Sequence, residues 1–300
     1  VLEQDWIGDS GIQELGLKAF VESKFIECTG LSNPVENFTE KFSRTFAKSR
    51  SPLAIYIYAS KIKSQSEDVK KSLEKAVVAI LEGNLSEVRM DMSENKHLQT
   101  VFEGREELLE EWSKGKEAPL IQEDESSSEK FTIHDTDNWE DLLLCGTEVV
   151  ESCQNVNSHP DTNKCLLACL LDGKNRIIVI KNSKGKIVAR RIIRVLWDEK
   201  NKRPVLFQEK FFHNPNVNKS MIKSLDDMVV QKAKDLGLPL FEKGEVEGTD
   251  SLSSLQSSAP FEYFDSVVGS TTGVLLAGVR RGDETVEITA NLVKSSENHS

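Results

Sequence analysis

The sequence predicts an α+β fold, a helical N-terminal region followed by a mainly antiparallel or mixed sheet with a packed helix. Three observations predict it. Residues 176–241 read without interruption as strand, hairpin, strand, strand, helix, strand. Ahead of residue 119, apolar residues recur mainly at helical spacing. Between these regions lies Gln122 to Lys130, QEDESSSEK, with no apolar residue, the composition of a solvated linker. The expected organisation is a helical region at 1–118, a linker at 119–130, a sheet domain at 131–293 and a frayed tail at 294–300.

The sheet region carries the clearest elements. Ile177 to Ile180 is a β-branched run, which suits a pleated surface. Asn182 to Gly185 reads as the hairpin turn, with Gly185 supplying the positive φ. Ile187 to Leu196 forms the second strand, where Arg190, Arg191 and Arg194 imply wet positions on both faces. Pro204 opens the third strand, Val205 to Phe212. Met221, Ile222, Leu225, Met228, Val229, Ala233 and Leu236 share a helix face, and Gly237 stops that helix. Leu238 to Phe241 is a short further strand.

The N-terminal region reads as helices. Ile12, Leu15 and Ala19 share one face, and Val35, Phe38, Phe42 and Phe46 form a second stripe behind an Asn33-Pro34 start. Leu53 to Tyr58 reads as a short buried strand or a helix start. Leu73, Val77, Ile80 and Leu81 mark a helix ending at Gly83, and Val101, Leu108, Leu109 and Trp112 another. In the sheet region, Trp139 to Leu144 is a helix or turn, and Leu166 to Leu171 an apolar helix or buried strand. Glu242 to Ser258 reads as a loop, and Phe261 to Phe264 as a strand. Val274 to Val279 is expected to pair with Thr285 to Ile288 across a turn containing Arg281-Gly282-Asp283.

Length and composition bound the function. Three hundred residues allow one large domain or two ordinary ones. A net charge of −11 argues against general nucleic-acid binding, which rests on cationic contacts with phosphate. No apolar run reaches the length that spans a bilayer, and the start shown, at Val1, carries no signal-peptide pattern. Five cysteines in this length suit reduced thiols and a cytoplasmic setting. The lysine-, glutamate- and serine-rich composition suits a bacterial host-directed effector.

Cysteine chemistry is one catalytic reading. A nucleophilic thiol needs a lowered pKa, from a base or a helix start. Cys165 stands where a helix begins, with Asp161 just before it and His213 after a later strand; Cys153 with His159 is the second pair. The pairing of Cys165 with His213 resembles papain-like hydrolases, which place a cysteine at a helix N-terminus and a histidine on a later strand. Cys145, Cys153, His159 and Cys165 supply enough donors for zinc, but their spacing matches no common finger, so no metal site is assigned.

Residues 176–241 also resemble the central part of the GNAT acyltransferase superfamily, in the order of their elements and in the Ala-Lys-Asp-Leu-Gly-Leu helix ending. The resemblance implies that acyl-CoA is the cofactor, with its pyrophosphate at the helix start, at Lys219 and Ser220. The superfamily's glycine-containing phosphate motif is replaced by Asn214-Pro215-Asn216-Val217-Asn218. Lys186, Arg190 and Arg194 share a strand face and offer a basic stripe to an acidic partner surface. With no catalytic motif complete, the leading functional reading is a protein-binding or regulatory module. The cysteine hydrolase and the GNAT-like acyltransferase are its rivals.

Overall fold

The computed structural model describes residues 66–92, 96–120, 129–155, 162, 164–244, 250–264 and 279–293. The helices and strand expected before residue 66 lie outside the described residues. The protein is α+β, with a helical segment leading into a mixed sheet. No helix among the described residues is long and apolar enough to cross a membrane.

Helix α1 (Glu67–Glu82) ends at Gly83, whose φ of 77° is the left-handed conformation that glycine adopts without Cβ strain. α2 (Leu85–Arg89) follows at once. The single helix expected around Val101 to Trp112 is two, α3 (Lys96–Phe102) and α4 (Glu106–Ser113). Gly104, at φ 65°, makes the break between them. Strands β1 (Lys116–Leu120) and β2 (Phe131–Thr136) then pair antiparallel on either side of the segment read as a linker. The helices and the sheet therefore meet in one core.

Asn138 accepts from the N–H groups of Glu140 and Asp141 and so caps α5 (Trp139–Leu144). The LLACLL run is a helix, α6 (Leu166–Leu171), buried at every residue. β3 (Asn175–Asn182) and β4 (Ile187–Asp198) form the hairpin, both longer than expected. β5 (Arg203–Gln208) stops early, and the same line resumes along β4 as β6 (Phe212–His213). α7 (Lys219–Leu236) is capped by Asn218 and closed by Gly237 at φ 64°. It leads to β7 (Leu240–Lys243), which lies parallel to β5. The remaining strands are β8 (Asp250–Ser253), β9 (Phe261–Tyr263), β10 (Val279–Arg281) and β11 (Glu287–Leu292).

The sheet order is β1-β2-β3-β4-β5-β7-β11-β8, and β8 returns to β4 through Trp197 and Ser253. That last pairing closes β4, β5, β7, β11 and β8 into a small barrel, so the long β4 belongs to both the open sheet and the barrel. Its interior is filled by Leu196, Val205, Phe207, Phe241, Leu252, Phe264, Ile288 and Ala290. Of the strand expected to form a hairpin with Thr285 to Ile288, only Val279 lies within the described residues. β10 pairs with β9, and β11 inserts between β7 and β8.

Strand alternation divides the rest of the core. Ile177, Val179, Ile192 and Phe212 face α1, α5 and α6. Ile178, Ile180, Ile193, Val195 and Leu206 face α3, α4 and α7. The register shifts between Ile180↔Ala189 and Lys181↔Ile187, leaving Val188 as the bulged residue. The bulge turns both Val188 and Ala189 toward α7 and keeps Arg190 and Arg194 on the α6 side.

Candidate functional site

Three of the four cysteines among the described residues are placed for packing. Cys145, Cys165 and Cys169 are buried. Burial disfavours the thiolate, pushing Cys145 up to about 12 and raising Cys165 and Cys169 as well. An activated nucleophile needs the opposite shift. Cys165 opens α6 on one face of the sheet. His213 stacks on Phe211, with ring centroids 5.0 Å apart, while Phe212 between them joins the α6-side cluster. Alternation therefore points His213 toward α7, and the sheet separates it from Cys165. Cys153 is partly exposed, and its carbonyl accepts from the Thr162 hydroxyl. His159 and Asp161 lie outside the described residues. No group of three or more metal-ligating side chains is gathered among the described residues. Iodoacetamide at neutral pH is expected to label Cys145, Cys165 and Cys169 roughly 100-fold more slowly in the native protein than in urea. Fast native labelling of Cys165, read by peptide mass spectrometry, would reinstate the thiol chemistry.

Two of the three residues of the expected basic stripe do not face solvent, and the third, Lys186, is half-buried just ahead of β4. Arg190 and Arg194 do share a face, but they are 0% and 1% exposed, so neither reaches a partner surface. Arg190 lies over the Phe212 ring at 4.2 Å and donates to the Cys145 carbonyl, Ser152 Oγ and Gln154 Oε1, which ties down the 145–154 segment. The polar positions expected on this strand face are instead turned inward, where Arg190 Nε and Nη2 find acceptors and its buried Nη1 has no hydrogen-bond partner.

Arg194 anchors a buried polar hub. It pairs with Glu209 at 2.9 Å and Glu262 at 2.5 Å, and donates to Asn175 Oδ1 and the Tyr263 carbonyl. Burial alone would lower its pKa, but Glu262 and Glu209 outweigh burial and raise it. Lys174 completes the cluster, 2.5 Å from Asp172 and 3.2 Å from Glu262. A second cluster lies beneath α7, where Arg176 and Lys232 share Asp135 at 2.8 and 3.0 Å. Burial lowers the Lys232 pKa.

Both clusters radiate from the five residues Asp172 to Arg176. Gly173 donates its N–H to the Arg89 carbonyl at 2.7 Å, and its own carbonyl accepts from Trp112 Nε1 at 2.7 Å. Asn175 donates to the Ala168 carbonyl and accepts from Arg89 through its own. Together these bonds tie α2, α4 and α6 to the sheet. In the sequence these residues read only as the end of an apolar run. The available signal was the density of charges directly against six consecutive core residues, since a buried charge must be paired.

The other candidate place is where the parallel pair parts. β5 and β7 pair from Leu206↔Leu240 to Gln208↔Glu242. Beyond that the chain after β5 stays with β4, Glu209 N–H donating to the Ile192 carbonyl, while Gly244 N–H follows β11 through the Thr289 carbonyl. Gln208 Nε2 donates to Glu242 at the fork. Arg191 spans the α7 side of this notch, 2.9 Å from Asp226 and donating to the Glu209 carbonyl. Burial raises the Asp226 pKa against the pull of Arg191. Neither Arg191 nor Asp226 was singled out for this place by the sequence, because their juxtaposition depends on how α7 crosses the sheet.

Lys219 and Ser220 form the first turn of α7, two turns ahead of Asp226. The cap is Asn218, whose Oδ1 accepts from Met221 N–H and from the Ser220 hydroxyl. The N–H groups of Lys219 and Ser220 therefore have no acceptor within the helix. Asn214 is committed to structure, its amide holding the Glu148 carbonyl and Val150 N–H. Neither known protein families nor curated proteins provide a match to this chain.

Proposed function

We propose that the protein binds an acyl-CoA along the notch between β5 and β7 and acts as a GNAT-like acyltransferase. The observation that carries this reading is the unit β3-β4-β5-α7-β7. It is an antiparallel three-strand run, then a helix, then a strand parallel to and beside the third. In an α/β unit of this kind a ligand lies outside the carboxyl ends of the parallel strands. Here those ends fork, and the 18-residue helix that joins the two strands sends Asp226 to Arg191 beside the fork. The two open N–H groups, the helix dipole and the Lys219 ammonium together suit a pyrophosphate.

The rival reading, a protein-binding module, is supported less. Its expected mark is a contiguous exposed apolar patch. Among the described residues the exposed large hydrophobics are Val150 and Leu292 alone.

Titration calorimetry with acetyl-CoA tests the proposal. Saturable binding is expected, and Ser220→Asp should weaken it by about tenfold or more, equivalent to about 1.4 kcal/mol. An aspartate in the first turn favours the helix dipole, so loss of binding would not reflect loss of the helix. No heat with either acetyl-CoA or free CoA at millimolar concentration would sink the reading.

A further inference from the structure

We propose a second, independent small-molecule site, a cleft at the Arg89 side chain that takes a planar compound carrying an amide or lactam edge. The cleft has a volume of about 380 Å³ and lies between the end of α1, α2 and the turn joining β2 to α5. That size lies within the range of small-molecule pockets.

Its chemistry begins with an unmet donor. Arg89 lines the cleft and is 3% exposed. Its Nη1 is taken by the carbonyls of Cys169 and Leu170, and its Nη2 by that of Asn175. Its Nε is buried and makes no hydrogen bond. A buried guanidinium N–H without an acceptor costs stability unless something supplies one. A second unmet atom is close in the chain. Asn84 Oδ1 is buried without a donor, and Asn84 is flanked by Gly83 and Leu85, which both line the cleft.

The neighbours define what the occupant must be. Asp137 Oδ2 lies 3.8 Å from Arg89 Nε and 3.3 Å from Arg176 Nη1, and the Asp137 side chain is 37% exposed. A carboxylate or phosphate bonded to Nε would meet this aspartate at once. A cation would meet Arg89. A group offering an acceptor and a donor side by side satisfies both, its carbonyl taking the Arg89 N–H and its own N–H reaching Asp137. Ile80, Leu85 and Trp139 supply apolar wall for the rest of a flat ring. Primary carboxamides on aromatic rings and the lactam edges of nucleobases share this chemistry.

The test uses the whole chain and three probes, nicotinamide, uracil and nicotinic acid, followed by ligand-observed saturation-transfer NMR. Nicotinamide and uracil are expected to bind, and nicotinic acid at least about tenfold more weakly because its carboxylate faces Asp137. Asp137→Leu removes the acceptor together with the carboxylate that faces Arg89 and Arg176, and Ser86→Trp leaves those charges in place and fills the cleft from its exposed rim. Each should abolish the nicotinamide signal while thermal unfolding stays cooperative. Three results overturn the proposal: no signal from either amide at 10-fold molar excess and above, equal binding of nicotinic acid, or binding that survives Ser86→Trp.

Discussion

Arg194→Met is expected to lower the unfolding free energy by about 3–5 kcal/mol, the cost of removing one partner from a buried ion pair. Methionine keeps apolar bulk against the Phe264 ring, over which the guanidinium lies at 4.5 Å. The effect therefore reads the charge together with the hydrogen bonds to Asn175 Oδ1 and the Tyr263 carbonyl. Glu262 retains Lys174 at 3.2 Å, but Glu209 loses the cation that sits 2.9 Å from it. Its carboxylate, 1% exposed, is left in the core. Adding Glu209→Gln should recover part of the loss, because the stranded charge is then gone. Urea denaturation of the single and double variants reads both numbers. A loss below about 1 kcal/mol for Arg194→Met would mean that pairing only balances the desolvation of these groups.

Gly173→Ala should be comparably damaging, by about 3 kcal/mol, the upper part of the usual range for overpacking. A Cβ at this position would lie 2.5 Å from the Arg89 carbonyl oxygen and would overlap Met90 sulfur. The backbone cannot retreat without stretching the 2.7 Å bonds that join Gly173 to Arg89 and Trp112. A shift of roughly 6–12 °C in Tm is expected for a chain of this size class. Met90→Ala combined with Gly173→Ala should restore a minority of it, since the carbonyl clash remains. Gly237→Ala is the control. Its φ is 64° and a Cβ there meets nothing within 4 Å, so its cost is only the conformational one, about 1–2 kcal/mol. Equal effects at the two glycines would show that the close approach at Gly173 is not what constrains it.

Much of the fold was legible because it follows from local rules. The β-branched Ile177 to Ile180 run, the turn at Gly185 and the helix closed by Gly237 all appear where side-chain period and glycine punctuation place them. The barrel was not legible. It depends on residues 287–292 pairing with strands more than thirty residues earlier, and no local signal encodes a partner. The bulge at Val188 was equally hidden, although it decides that Arg190 and Arg194 point into the core. For the candidate sites the difficulty was an assumption about charge. Arginine and lysine are mostly exposed, so a stripe of them reads as surface. Arg190 and Arg194 belong instead to a core that supplies its own carboxylates, carbonyls and aromatic rings. The start of α7 at Lys219 and Ser220 was visible in the sequence, and the notch between β5 and β7 was not. Nor were Arg191 and Asp226 at its side, since they are brought together only by the crossing of α7.

The central position of β11 bears on how the molecule is made. A ribosome delivers β7 and β8 before β11, yet β11 lies between them. Until residues 287–292 emerge, β7 and β8 each expose an unpaired edge and the barrel interior stays open to water. Such edges are templates for pairing with other chains. Closure must therefore be a late, long-range step, of the kind that slows folding and lengthens exposure to aggregation. A nascent chain of this protein would depend on holding those two edges apart from their neighbours until β11 arrived.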